Sequence, residues 1–358
     1  MSIKSPLKTE YSNEEQDNLQ IYIAQHNWER KKIYQLRYQV FVEELDKPLH
    51  SAKQQEAQLV DALDNNSILL YVEAHGQIIA TARLTMAPYS DYPVNLSTIF
   101  QMQKFHTAFN HSKLLALATK LAVKKEYRSS PALYLLITEI YKILAEEAIF
   151  ICFGGCNPHL IPLYERMGFR RFAANFRDEG YGLLVPIVMF LNDLDYLRSI
   201  RSPLYRQARK IKMSFDASQI FTKLFPETAK ILNSRITTSQ HLWLYITERL
   251  GKPLTSLPLF MALSYEAILK LLASSAVFTC RRGDYVLEKD VPCRDLYLLL
   301  TGSIALQTQK GSHLLESGEV VSCWRDLLTE SGYGIARERS ELLVIPRQVW
   351  EMRENFTL

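Results

Sequence analysis

Four residues of this chain place charge where burial would make it costly. Arg37 falls on the apolar stripe of a helical run, Glu29–Leu45, whose Ile33, Leu36, Val40 and Phe41 recur on one face. Arg83 sits inside the strand run QIIATARLT (77–85), and Asp61 and Asp64 share the loop ahead of the strand run SILLYVEA (67–74). Two guanidiniums and two carboxylates drawn together from those segments would form a buried charge cluster. The alternative for Arg37 is a snorkelling or ion-paired side chain with no chemical role.

A second group is YRSSPALYLL (127–136), between a strand run and a helical run, where some α/β enzymes hold a phosphate. Glycines let several backbone amides close on a pyrophosphate, and this loop has none. Arg128, the hydroxyls of Ser129 and Ser130, and the amides beyond Pro131 suit a single phosphodiester instead. Lys124 adjoins them, and Lys113, Lys120 and Lys125 add positive charge that would steer an acidic partner. Cys152, Cys156 and His159 form a C-x3-C-x2-H pattern that lacks a fourth ligand. They read as buried thiols and a helix start, so no metal is expected.

The elements that position these groups follow from period and punctuation. His75–Gly76 joins the first two strand runs as a hairpin, and residues 114–123 are the next strand. Ser130 caps a helix that Pro131 opens and that runs to Glu147. IFICFGG (149–155) reads as a buried strand, Asn157 as the cap of a short helix through Met167, and Gly168 as its stop. FRRFAANF and GLLVPIVMFLN are two further strand runs. After Leu257 come a short helix (264–273) and closely spaced strands broken at Gly283, Pro292, Gly302, Gly311 and Gly318.

The expected fold is therefore α+β: a mixed α/β sheet domain, a helical linker and a β-barrel or jelly roll. Residues 1–20 read as a polar tail, 21–200 as the sheet domain, 201–256 as the linker and 257–358 as the barrel. Two domains suit a chain of 358 residues. From 198 to 252, eleven lysines and arginines stand against only Asp216, Glu227 and Glu248, a basic connector that suits acidic partners or, more commonly, a solvated face. A composition 47% hydrophobic and 22% charged, with five irregularly spaced cysteines, fits a reduced globular protein. The polar first eighteen residues and the short apolar run Leu183–Leu191, interrupted by Pro186, give an expectation of cytoplasmic location without a membrane span. No nucleic-acid partner is expected.

With these elements placed, residues 114–169 resemble the core of the GNAT acyltransferase superfamily. TKLAVKKEYR leads into the cofactor loop, and LYERMGF is similar to the closing helix whose tyrosine often protonates the leaving thiolate, here Tyr164. The bland reading of Tyr164 is a core tyrosine with a satisfied hydroxyl. IYQLRYQVFVEEL (33–45), LVDALDNN (59–66) and TARL (81–84) resemble the acyl-homoserine-lactone synthases and the related N-acyl amino acid synthases, and VPIVMFLNDLDYLRSIRSPL (185–204) is similar to the end of the latter group's domain. The resemblance implies transfer of a fatty acyl chain from the phosphopantetheine of acyl carrier protein, or from acyl-CoA, to a small-molecule amine. It implies catalytic or supporting roles for Arg37, Asp61, Asp64, Arg83 and Tyr164, and acyl-chain or support roles for Phe41, Leu121 and Val123. One departure stands out: the branch carries a glutamate three residues before an arginine in the strand ending in LAV, and this chain has Leu117 and Lys120. Leucine cannot accept a proton or orient an amine, which leaves Asp61, Asp64 or Glu44 for that task.

Residues 257–350 resemble the cyclic-nucleotide-binding domain family, on RRGDYVLEKDVPCRDLYLLLTGSIAL and its glycine turn. A cyclic nucleotide needs an arginine for its phosphate and a glutamate for its ribose. The glutamate position reads Trp324 and the arginine position Gly334, with Arg325 or Arg337 as substitutes, so binding of a cyclic nucleotide is not expected. The leading expectation is an N-acyltransferase using acyl carrier protein and an amino acid or similar amine, with the barrel as a regulatory or self-association module. The competing ones are an acetyl-CoA-dependent acetyltransferase and a non-catalytic binding protein in which both sites have decayed.

Overall fold

The computed structural model describes residues 19–108, 114–211, 217–289, 291, 295–308, 311–322 and 332–352. The chain forms two compact units, Met1–Thr98 with Met102–Gly154, and Ile99–Gln101 with Gly155–Leu358. The boundary thus falls at Gly154, and residues 155–200 share a unit with the barrel.

In the first unit, β1 (Gln20–Ile23) is followed by helix Asn27–Tyr38 and a small ribbon, β2 (Ala52–Lys53) with β3 (Gln58–Leu59). Then come β4 (Ser67–Ala74), β5 (Gln77–Ala87), β6 (Leu115–Val123) and β7 (Ile151–Cys156). The sheet runs β1-β4-β5-β6-β7, antiparallel except for β6 with β7. His75 and Gly76 have φ of +50° and +75°, the left-handed pair that a two-residue hairpin between β4 and β5 requires. Register places Leu69 opposite Arg83 and Tyr71 opposite Thr81, so these four share a face. Tyr71 donates to Glu29 of helix Asn27–Tyr38, which identifies that face as the one the helix covers. β5 is buried at residues of both parities, and helix Ala132–Glu146 also packs on β4 and β5, so both faces are covered.

The predicted helix Glu29–Leu45 is two elements. Its α-helical part is Asn27–Tyr38, and Gln39–Glu44 is π-helical, with the Leu45 amide donating to Val40 O at 3.1 Å. The wider turn still leaves Val40 and Phe41 buried. Helix Ala132–Glu146 starts one residue later than expected, with Pro131 at the cap position; Ser130 Oγ nonetheless accepts from the Ala132 amide at 3.2 Å.

In the second unit, a turn, Pro158–Leu160, leads into helix Ile161–Met167, which Gly168 ends at φ +113°. Asn157 does not cap this helix; its Nδ2 donates to Tyr181 O and Leu183 O, tying the turn to the strand that follows. β8 (Phe169–Arg171) and β9 (Phe176–Asp178) both pair antiparallel with β10 (Gly182–Phe190). The barrel contains β11 (Ala276–Cys280), β12 (Tyr285–Leu287), β13 (Leu296–Thr301), β14 (Ile304–Thr308), β15 (Gly311–Leu315), β16 (Val320–Ser322), β17 (Tyr333–Ala336) and β18 (Ser340–Ile345). They form two four-stranded sheets, β11-β18-β13-β16 and β12-β17-β14-β15, the expected jelly-roll arrangement. Leu242 and Ile246 of helix Ser239–Leu250 enter the same core as Ile268, Leu298, Leu343 and Trp350. The end of the predicted linker is therefore part of the barrel's packing, each buried Leu or Ile contributing about 1.5–3 kcal/mol.

Gly302 turns the chain between β13 and β14 at φ +88°, and a Cβ there would stand 2.7 Å from Arg339 O and 2.4 Å from Ser340 Oγ. Gly302→Ala combines left-handed strain with a backbone clash and is expected to destabilise the barrel by at least about 1–2 kcal/mol, read as a lower unfolding midpoint in denaturant titration.

Candidate functional site

Helix Asn27–Tyr38 buries Ile33 and Leu36, and the same stripe carries Arg37 in its last turn. Arg37 Nη1 donates to Asp64 Oδ1 at 2.7 Å, with both side chains fully buried. Arg83, delivered from β5, meets Asp64 Oδ1 at 3.3 Å, donates Nη1 to Asp61 Oδ1, and donates Nε to Thr119 Oγ1 at 2.9 Å. The predicted four-residue cluster therefore forms.

The two aspartates are three residues apart because they make a capping box. Asp61 is the N-cap of the 3-10 turn Ala62–Asn66; its Oδ1 accepts from the Leu63 amide at 3.1 Å, and Asp64 Oδ2 accepts from the Asp61 amide at 2.9 Å. This D-x-x-D signal was legible in the sequence as local geometry and was missed. Also missed was Arg30, two turns before Arg37, which donates to Asp64 O at 2.9 Å and Ser67 O at 3.3 Å. Arg30 lines a polar cleft with Asn27, Tyr34, Gln58 and Asn65.

Lys120 joins the cluster through a bulge. Between Thr81 and Arg83 on β5, the partner strand advances from Ala122 to Thr119, one residue more, and Lys120 takes φ +52°. Its Nζ lies 3.5 Å from Asp61 Oδ2. The cluster then holds Arg37, Arg83 and Lys120 against Asp61 and Asp64, a surplus of one positive charge. Side-chain exposure rises outward, from 0% for Arg37 and Asp64 through 3% for Arg83 and 12% for Lys120 to 29% for Asp61. Burial pushes the Asp61 carboxyl up, but the Arg83 charge and hydrogen bond, with Lys120 and the Leu63 amide, outweigh it and hold the carboxyl below its ordinary value. Burial lowers the Arg37 guanidinium against the opposing pull of Asp64. Arg37 Nε and Nη2 are buried with no hydrogen-bond partner among the described residues.

The remaining expected residues fall as follows. Leu117 is fully buried between Thr85 and Phe153, so that position packs the sheet and orients nothing. Phe41 and Val123 are buried, and Leu121 is half-buried on β6. In the phosphate loop, Arg128 Nη2 donates to Glu44 Oε2 at 2.7 Å, so a phosphate there would exchange with a carboxylate. Ser130 Oγ donates to Tyr127 O at 2.7 Å, Ser129 is exposed and Lys124 half-buried; Lys113 lies outside the described residues.

Tyr164 is half-buried in the second unit, its ring edge-on to Phe169 at 5.6 Å. Burial, with the nearby Cys156, raises its hydroxyl above the ordinary range, and the hydroxyl has no hydrogen-bond partner among the described residues. Cys152 and Cys156 are buried, with burial pushing the Cys152 thiol up to about 12. His159 Nδ1 lies 2.6 Å from Asp295 Oδ2 instead of joining them. Among the described residues no group of three or more His, Cys, Asp or Glu could hold a metal ion.

In the barrel, Trp324 and Arg325 lie outside the described residues. Gly334 is buried, and a Cβ there would stand 3.1 Å from Leu306 Cδ2 and 3.5 Å from Ile304 and Leu287, an apolar wall where an arginine was sought. Arg337 is exposed, its amide donating to Ser303 O at 3.0 Å.

Residues 32–191 match the family model described as N-acyl amino acid synthase FeeM. The chain carries an N-acyltransferase domain. The structure of FeeM, from uncultured soil microbes, is similar over 53% of this chain and 97% of that one, at 12% identity and a TM-score of 0.42. The sensor domain of the transcriptional regulator DNR from Pseudomonas aeruginosa is similar over 29% of this chain and 80% of its own, at 20% identity and a TM-score of 0.27. The regulatory subunit of a cAMP-independent protein kinase A from Trypanosoma brucei is similar over 49% of this chain and 51% of its own, at 14% identity and a TM-score of 0.29. No curated protein matches the chain. No helix among the described residues is long and apolar enough to cross a membrane.

Two substitutions probe the N-acyltransferase domain's charge cluster. Arg37→Ala leaves Asp64 without its closest buried partner and is expected to cost about 3–5 kcal/mol and abolish turnover. Because the folded value of Asp61 lies below its ordinary 3.8, its ionic contribution is complete above that pH and lost as pH falls through the folded value. Asp61→Asn should therefore lower the melting temperature at neutral pH, with the difference from wild type shrinking as the pH is taken below the ordinary aspartate value of 3.8 in scanning calorimetry.

Proposed function

We propose that the enzyme transfers a long acyl chain from acyl carrier protein to the amine of an amino acid. The observation that carries this reading is the graded cluster of three cations and two carboxylates, whose most exposed member is Asp61. A carboxylate held ionised by Arg83 is a weak base but a good partner for an ammonium, so Asp61 orients the amine in place of the missing glutamate. The surplus positive charge suits an acceptor that brings its own carboxylate, and the polar cleft lined by Arg30 suits a small polar molecule better than an acyl chain. Arg37, Arg83 and Asp64 hold this arrangement from below.

In the reaction the neutral amine nitrogen attacks the thioester carbonyl, the N–C bond forms, the C–S bond breaks, and the nitrogen passes a proton to solvent water, from which Tyr164 regains the proton it gives up. The departing thiolate takes a proton from Tyr164, whose raised hydroxyl is unpaired among the described residues. Phe41, Leu121 and Val123 support the acyl chain. The loop of Lys124, Arg128, Ser129 and Ser130 receives the single phosphodiester of the carrier's arm, with Arg128 leaving Glu44 for it. As functional regions we assign 21–200 to acyl transfer, 201–256 to the connector and 257–358 to the barrel, which acts through packing or self-association and binds no cyclic nucleotide. Gly334 with its wall of Leu287, Ile304 and Leu306 supports the last point.

Two measurements test the reading. Steady-state kinetics with the same acyl chain on carrier protein and on coenzyme A should give the higher kcat/KM for the carrier protein; the reverse order would show an ordinary acyl-CoA enzyme. Isothermal titration of the full chain with cyclic AMP and cyclic GMP should give no heat of binding at micromolar concentration, since loss of two charge-assisted contacts of about 1.5–3 kcal/mol each weakens affinity by orders of magnitude.

A further inference from the structure

Tyr164 sits on a helix of seven residues, Ile161–Met167, too short to hold its own position in water. What fixes it is the set of contacts at its two ends, and these reach the connector and the barrel. At the entry, His159 Nδ1 lies 2.6 Å from Oδ2 of Asp295, which immediately precedes barrel strand β13, a close contact without hydrogen-bond geometry. Toward the exit, Glu165 is almost completely buried beside Arg171 of β8, with Arg171 Nε donating to Glu165 Oε1 at 2.9 Å. Glu165 Oε2 accepts from the Ser234 amide at 2.7 Å and from Ser234 Oγ at 2.5 Å, both in the connector. Arg171 Nη1 donates to Val277 O of barrel strand β11 at 2.7 Å, and Nη2 donates to Leu232 O.

This pair differs from Arg37–Asp64. Every nitrogen of the Arg171 guanidinium and both oxygens of Glu165 are bonded, so the pair has one low-energy arrangement and defines a position. Apart from each other, the partners of the pair lie more than sixty residues on in sequence and belong to the connector and the barrel. Glu165 is the residue after Tyr164, so a shift of the barrel or connector moves the tyrosine.

We propose that Glu165 and Arg171 are positioning residues for Tyr164, and that through them the connector and barrel are required parts of the acyltransferase, setting where the proton donor stands. The proposal rests on Tyr164 protonating the leaving thiolate. Proton donation is steeply sensitive to distance and angle, whereas substrate binding elsewhere is not, so a loosened pair lowers kcat and spares KM.

The test is a double-mutant cycle in the full-length protein, with palmitoyl carrier protein as donor, an equimolar mixture of the twenty amino acids as acceptor, and thiol release as the readout. Arg171→Lys keeps the charge beside Glu165 but cannot serve both Val277 O and Leu232 O in the same geometry. It is expected to lower kcat about tenfold with the donor KM changed less than about twofold, and to have almost no further effect in a Tyr164→Phe background. An equal loss in both backgrounds, or no loss in either, overturns the positioning role. Wild-type kcat in Tyr164→Phe alone instead removes the proton-donor reading, and the proposal with it. Should Arg171→Lys fail to fold, Ser234→Ala keeps both charges and removes one bond to Glu165. It is expected to lower kcat about two- to fivefold in the wild-type background only, and the same overturning outcomes apply.

Discussion

The contact on which the acyltransferase half depends is the buried ion pair of Arg37 with Asp64. Two charges taken out of water cost several kcal/mol each, and only close geometry with further hydrogen bonds offsets that. Asp64 meets the requirement: it receives Arg37, Arg83 and the Asp61 amide. Arg37 does not, since two of its nitrogens are unpaired among the described residues. A half-satisfied buried network is a poor way to stabilise a fold and a reasonable way to prepare a polar site. The outward gradient from Arg37 to Asp61 continues this logic, because only the outermost carboxylate is accessible while the inner charges hold its ionisation.

The second unit uses a buried pair differently. Arg171 and Glu165 are saturated by each other and by backbone and serine partners from two further segments, 232–234 and β11, so they join those segments instead of offering a free group. Asn175 makes a parallel connection, donating to Thr279 O at 2.8 Å and Asp284 Oδ2 at 3.1 Å, and Arg177 pairs with Glu288 at 2.9 Å. Five polar links therefore run from residues 171–177, after helix Ile161–Met167, into the barrel and its approach. Together with Leu242 and Ile246 in the barrel core, they account for residues from Gly155 onward falling in one compact unit with the barrel.

Helix and strand identities were largely legible from period and punctuation. The hairpin at His75–Gly76, the stop at Gly168 and the turn at Gly302 are required by backbone sterics, which act locally. Local rules erred where a long-range demand competed. The run to Leu45 changes from α to π geometry after Tyr38, with Val40 and Phe41 still in the core, and Asn157 gives its side chain to Tyr181 and Leu183 instead of to a helix end. The bulge at Lys120 left no mark in composition, since it arises from pairing β5 against β6 with one residue too many.

By itself, then, the sequence determined the α+β class, the two-sheet barrel, the acyltransferase resemblance and the set of charged residues worth bringing together, because residue type, period and turn chemistry are local properties. It also determined that position 117 offers no carboxylate and position 334 no guanidinium. Only the tertiary structure decided how charge is distributed: that Lys120 completes the cluster, that Arg128 is held by Glu44, and that Glu165 and Arg171 bind residues as far off as Val277. Ion pairs and buried hydrogen bonds depend on distances of a few ångströms between segments remote in the chain, and no local pattern encodes such distances.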